Sequence, residues 1–430
     1  MVSTLRKLRL PDGATLLLDP MPERSSVVIG VFSRHGSRDE SIPGITHFLE
    51  HMLFKGTQHR SNFEIISTIE DTGGYLDADT THDYLGLYAR VLKEHFPLAM
   101  ELLGDMLSSP RFAEEDVALE KSVVLEEFKS FLETPDDYVF YLLFDALFPG
   151  HPLGREIMGT LPSIQGFTGE QVRRRWQEVF SPDSVVLVVV GNVDEEEVIR
   201  AYEQFFHLPR GPFAGGTTEP PLPDPEPFRI HTESRLYQVQ LAMGVRVPEY
   251  LHADRPALVV LNAVLGGGMS SRLFVKLREQ KGVVYSVSSY LDYLRGLGVL
   301  GIHTVTDPAY FEGVVHDIWV EFEALRKEGI RPEELERVKT RLRGSLLLSQ
   351  ESLTQRMMHV ATLELLLGRV LTTEEYLRDL EQVTCQQVQE VAQRYLVWDA
   401  WSVGIVSPVE IPLETFPGGK PWKAMASPRS

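Results

Sequence analysis

Strand-like runs open each half of the chain: Ser26-Val-Val-Ile-Gly-Val-Phe-Ser33 early on, and Tyr237-Gln-Val-Gln-Leu-Ala-Met-Gly244 after the midpoint. An apolar helical stretch follows each. His47-Phe-Leu-Glu-His-Met-Leu-Phe-Lys-Gly56 lies over Leu258-Val-Val-Leu-Asn-Ala-Val-Leu-Gly-Gly267, so that His47, Glu50 and His51 fall on Leu258, Leu261 and Asn262. A second overlay matches Phe112-Ala-Glu-Glu-Asp-Val117 with Ile330-Arg-Pro-Glu-Glu-Leu335. An internal duplication in which one copy lost the metal would account for both. Between the halves, residues 210–227 are too rich in proline and glycine to continue a helix or a central strand. The pattern predicts an α+β fold of two similar domains, each a mostly antiparallel sheet with helices over one face. Expected boundaries are 1–209 and 228–415, joined by a 210–227 linker and followed by a 416–430 tail.

The first helical stretch carries the chemistry. His47 and His51 are four residues apart, so both imidazoles share one helical face, and Glu50 precedes the second. Two neutral imidazoles and a carboxylate form a catalytic zinc site that leaves one position for water. The order H-x-x-E-H is the inverted zinc-protease signature, in which the glutamate takes a proton from that water. Phe48, Leu49, Met52, Leu53 and Phe54 make the helix apolar nearly all round, which predicts burial, and buried imidazoles need partners. The third ligand is sought on the helix expected over residues 113–133. There Val117, Glu120, Val124, Glu127 and Phe131 form one stripe, with Val123 and Phe128 beside it, so two carboxylates are embedded in an apolar face. Spacing does not rank Glu120 against Glu127.

Composition narrows the partners. A formal charge of −19, from 61 acidic and 42 basic residues, disfavours nucleic acid, because phosphate binding needs an electropositive surface. The single cysteine, Cys385, excludes an intrachain disulfide and suits a reducing compartment. The N-terminus has no apolar leader, and no stretch approaches the length of a membrane span, so a cytoplasmic protein without membrane association is expected.

With these motifs, essentially the whole chain resembles the pitrilysin/insulinase family of zinc peptidases, in a short-chain form similar to the mitochondrial processing peptidase. The resemblance is carried by His47 to Thr57, Gly73-Gly-Tyr-Leu-Asp-Ala-Asp-Thr-Thr81 and the Glu120–Glu127 pair. It implies one zinc ion per chain bound by His47, His51 and Glu127, with Glu120 ordering the site from behind. It also implies that Tyr75 to His82 form an exposed edge strand that takes the substrate as a further β-strand, with Asp77 and Ala78 meeting the peptide. Asp77 departs from the family's usual asparagine. His82 is read as a strand residue rather than a ligand. Gly266 to Tyr285 is similar to the family's substrate-holding segment, which places backbone-binding roles on Arg278 and Tyr285. The family builds a four-domain chamber and this chain supplies two domains, so a homodimer is expected. The implied activity is endopeptidase cleavage of unfolded peptides with Glu50 as general base. The alternative is a silent or partner-dependent peptide-binding subunit.

Overall fold

Apolar residues on both faces of the central strands require a sheet covered on both sides. The computed structural model, which describes residues 5–210, 220–412 and 416, contains two such sheets. The first holds β1 (Arg6–Arg9), β2 (Thr15–Pro20), β3 (Ser26–Ser33), β4 (Tyr75–Thr80), β5 (Leu85–Leu92) and β6 (Val185–Gly191) in the order β1-β2-β6-β3-β5-β4. The second holds β7 (Phe228–Thr232), β8 (Val239–Val247), β9 (Val284–Leu294), β10 (Leu297–Thr306) and β11 (Ser402–Ser407) in the order β7-β11-β8-β10-β9. Apart from β1, the orders correspond strand for strand. Each sheet has one parallel pair, β2 with β6 and β7 with β11, among antiparallel neighbours. The duplication read from the two apolar helices thus extends to strand order and direction.

Two expectations need correcting. Helices cover both faces of each sheet rather than one. Every residue of β6, Val-Val-Leu-Val-Val-Val-Gly, is buried, and a strand apolar on both faces exposes itself unless a second layer packs on it. Nor are the compact units contiguous halves. One comprises Met1–Ser130, Arg155–Pro221 and Ser345–Thr373, and the other Phe131–Gly154, Leu222–Gly344 and Glu374–Ser430. In the first unit the helix Leu353–Leu367 supplies the second layer, with Leu353, Met357, Val360 and Ala361 against Leu17, Val28, Phe32, Val186, Val188 and Val190. In the second, the helix Pro135–Leu147 plays that part, with Val139, Leu142, Leu143 and Leu147 against Ala242, Val299 and Val406. The fit there is close: a Cβ on Gly404 would stand 2.6 Å from the Val139 carbonyl oxygen. Residues 211–219 of the expected linker and 417–430 of the expected tail lie outside the described residues. Phe416 is buried against Phe228, with ring centroids 4.9 Å apart.

The other face of the first sheet carries the larger core and the four helices that build the site. These are α1 (Ile45–Leu53), α2 (Asn62–Glu70), α3 (Phe96–Ser108) and α4 (Glu114–Glu133). No helix among the described residues is long and apolar enough to cross a membrane.

Candidate metal centre

Helix α1 starts where only glycine fits. Gly44 has φ +87°, and a Cβ there would meet the Met158 carbonyl oxygen at 2.2 Å. With no side chain at that position to cap the helix, the carboxylate of Glu40 does so, accepting the backbone N–H groups of Gly44 and Thr46. Arg175 donates to the Thr46 hydroxyl at 3.0 Å and to the Gly36 carbonyl at 2.9 Å, pinning the same turn. Phe48, Leu49, Met52 and Leu53 are fully buried, which sets the rotation of the helix and turns His47, Glu50 and His51 to its one half-open side. Beyond its C-terminal end, Asp105 on α3 accepts from the Thr57 hydroxyl and from Arg60, each at 2.7 Å.

Three donor groups converge on that side. His47 Nε2 lies 3.7 Å and His51 Nε2 3.4 Å from the two carboxylate oxygens of Glu127, and one ligand atom from each residue falls within 4.8 Å of the others. The Nδ1 of His51 meets Glu120 Oε1 at 2.8 Å, so its Nε2 is the nitrogen left for the cluster. Glu120 also pairs with Lys55. His47 Nδ1 is buried without a hydrogen-bond partner. The two Nε2–carboxylate distances are long for hydrogen bonds. Donors bound about 2 Å from one tetrahedral ion stand roughly 3.3 Å apart, so the spacing and the donor chemistry both fit zinc. Electrostatics agree. Burial, then the neighbouring His51, pushes His47 down to about 4. Burial also opposes protonation of His51, but hydrogen bonds to Glu120 and Glu127 outweigh it and hold that ring up at about 9. One carboxylate pair thus gathers positive charge at a point where imidazoles alone supply it poorly.

The expected stripe on α4 is only partly buried. Val117, Glu120 and Val124 are buried, but Glu127 is 44% exposed and Val123 faces solvent. The core-facing line turns outward over the last turns of the helix. This separates the two acids that spacing left equal. Glu120 is enclosed and paired behind His51, whereas Glu127 stands open at the cluster.

Glu50 sits beside the cluster. Burial raises its carboxyl above the usual carboxylate range, and a hydrogen bond donated by Thr80 partly offsets this. Thr80 ends β4, the last strand of its sheet, which among the described residues pairs only with β5. Leu76, Ala78 and Thr80 lie on the face towards α1, and Tyr75, Asp77 and Asp79 on the other. Asp77 Oδ2 accepts from the hydroxyls of Tyr75 at 2.6 Å and Tyr88 at 3.0 Å, while Oδ1 takes the Ala78 N–H at 2.9 Å. In this arrangement the two carboxylate oxygens accept all three. His82 bonds Ser37 Oγ at 3.0 Å and does not join the cluster.

Arg278 and Tyr285 lie in the second unit. Arg278 belongs to a π-helical segment, Phe274–Gln280, a geometry frequent at functional sites. It donates to the Tyr285 carbonyl at 2.6 Å, its guanidinium lies 5.7 Å from the tyrosine ring centroid, and that ring is 72% exposed. The two residues therefore form one local group. Reading the sequence alone missed Lys55, Glu40, Arg175 and Thr80. Only Lys55 carried a signal, being one turn beyond His51 on the same face.

Fold and site together point to a peptidase scaffold carrying the H-x-x-E-H motif, and comparison with known proteins agrees. Residues 16–161 match the family model described as insulinase (peptidase family M16), and residues 166–342 match the peptidase M16 inactive domain. The chain belongs to this insulinase family. It is 36% identical to an uncharacterized zinc protease, YmxG, of Bacillus subtilis, over 94% of this chain and 98% of that one. A Streptomyces coelicolor protein also described as an uncharacterized zinc protease is 33% identical over 92% and 88%. Two crystal structures share the fold, each with a TM-score of 0.86. One is a protease from Helicobacter pylori, 21% identical and covering 95% of this chain and 100% of that one. The other is a peptidase M16 inactive domain from Pseudomonas fluorescens, 22% identical and covering 95% and 99%.

Proposed function

We propose that the protein is a zinc-dependent endopeptidase that cleaves extended, unfolded peptides. The observation that carries this reading is the meeting of His47, His51 and Glu127 within 4.8 Å, beside Glu50 on the same helix. In it, His47 Nε2, His51 Nε2 and the Glu127 carboxylate hold one zinc ion, and Glu120 keeps the His51 ring oriented. Zinc, when bound, supplies the charge that polarises the scissile carbonyl and acidifies water. Glu50 takes the proton of the attacking water and passes it to the leaving amine; its raised pKa brings it nearer the operating pH of a general base. The free edge of β4 holds the peptide backbone as an added strand, which tolerates varied sequences. Arg278 and Tyr285 each offer donors to peptide carbonyl oxygens. The names of the relatives, zinc proteases in two bacteria, support the same reaction class.

The reading extends to a homodimer in which the Arg278–Tyr285 group of one protomer serves the metal centre of its partner. Mixing Glu50→Gln chains with Tyr285→Phe chains tests this: activity restored in the mixture supports shared sites, and none counts against them. The enzyme assignment is tested with a quenched unstructured peptide and zinc-loaded protein. Cleavage that stops on chelation is expected. A pure zinc-loaded chain that leaves such peptides intact, at any concentration that dimerises it, supports the silent or partner-dependent subunit instead.

A further inference from the structure

Strand β4 presents only one hydrogen-bonding side chain to α1. Residues two apart share a face, and of Leu76, Ala78 and Thr80 the first two are apolar and pack on the core. Thr80 is buried, and its hydroxyl donates to Glu50 Oε2. Glu50 in turn is a carboxylate largely drawn out of water on the side of α1 that also carries His47 and His51. The contact joins the residue read as general base to the strand read as the peptide-binding edge, thirty positions away in sequence.

Resting on the endopeptidase reading above, we infer that Thr80 is a positioning residue for Glu50, anchoring one carboxylate oxygen to the substrate strand so that the other faces the attacking water. The side-chain type suits the task. The Thr80 hydroxyl donates to Oε2 throughout: to a carboxylate oxygen before proton transfer, and to the carbonyl oxygen of the acid after it, while Oε1 carries the proton taken from the water. Threonine at this point therefore holds the base through both halves of the cycle without taking the proton itself. Because the anchor lies on β4, a peptide lying along that edge is registered against the base through six residues of one strand.

Thr80→Val keeps the shape and removes the hydroxyl; Thr80→Ser keeps the hydroxyl. With zinc-loaded protein and a quenched extended peptide, Thr80→Val is expected to lower kcat by roughly tenfold to a hundredfold. KM and zinc affinity should stay within about twofold of wild type, and Thr80→Ser should recover most of kcat. A merely structural role would lower zinc affinity and melting temperature together and leave no split between kcat and KM. Glu50→Gln is measured beside them. If Glu50→Gln is inert while Thr80→Val turns over like wild type, this inference is overturned and the peptidase reading stands. If Glu50→Gln itself turns over normally, both fall. A crystal structure of zinc-loaded Thr80→Val provides a readout independent of turnover: a Glu50 carboxylate rotated from its wild-type position is expected, and one left unmoved overturns the inference.

Discussion

The two units place the same helix on the same sheet and spend it differently. In the first, α1 turns His47, Glu50 and His51 to a half-open side, with Glu120 and Thr80 arranged behind them. In the second, the matching helix Arg255–Leu265 carries Leu258 and Leu261, both fully buried, and Asn262. The overlay that sets Val117 on Leu335 sets Glu120 on Val338, which is also buried and apolar. The second unit thus has leucine in place of His47 and Glu50, asparagine in place of His51 and valine in place of Glu120. A helix–sheet scaffold of this kind therefore needs none of these polar groups to fold. Keeping a carboxylate at the Glu120 position costs desolvation that the second unit avoids. In the first unit that carboxylate accepts from His51, a metal ligand in the proposed function.

Several substitutions break or sharpen that contrast. The largest effect is expected from Glu50→Gln, which should cut peptide hydrolysis by roughly 10²- to 10⁴-fold while zinc binding persists; kcat and a zinc titration on the same sample check it. Next, Leu261→Glu places an acid at the fully buried position matching Glu50. Denaturant unfolding should show a loss of about 3 kcal/mol, and the protein should bind no second zinc ion.

The third effect concerns pH. Burial pushes the Glu40 carboxyl up to about 7, against hydrogen bonds from Thr46 and Gly44 and the charge of Arg175. A carboxyl whose folded pKa is raised adds stability that is complete below its unfolded pKa near 4.5 and is lost as pH rises through about 7. The stability of wild type relative to Glu40→Gln should therefore fall by about 3 kcal/mol between those limits, as unfolding curves across that range will read. A flat difference would place the charge on Glu40 at no cost. The smallest effect is expected from Glu120→Gln, which should weaken zinc binding about tenfold to a hundredfold while leaving one zinc per chain. Unchanged affinity would mean that Glu120 does not orient His51.

The metal motif was legible because its parts lie within one helical turn, where spacing alone fixes geometry. The duplication was legible for a similar reason, since two apolar helices after two strands repeat the same pattern. Choosing Glu127 over Glu120 needed the family resemblance. Periodicity put both acids on one buried stripe, and only the packed helix shows that line turning outward after Val124. Thr80 was invisible as a functional residue because its meaning comes from a partner brought close by folding. The exchange of the helices Pro135–Leu147 and Leu353–Leu367 between units left no signal in their own sequences. Its trace lay in β6, whose unbroken apolar run called for cover on both faces.

The central claim is that one cation sits among two imidazoles of α1 and a carboxylate of α4. An anomalous difference map at the zinc edge, from crystals of wild-type protein equilibrated with zinc, tests it directly. The account predicts a single strong peak per chain, bonded to His47 Nε2, His51 Nε2 and Glu127. A map with no peak there, or with zinc held by other residues, contradicts it.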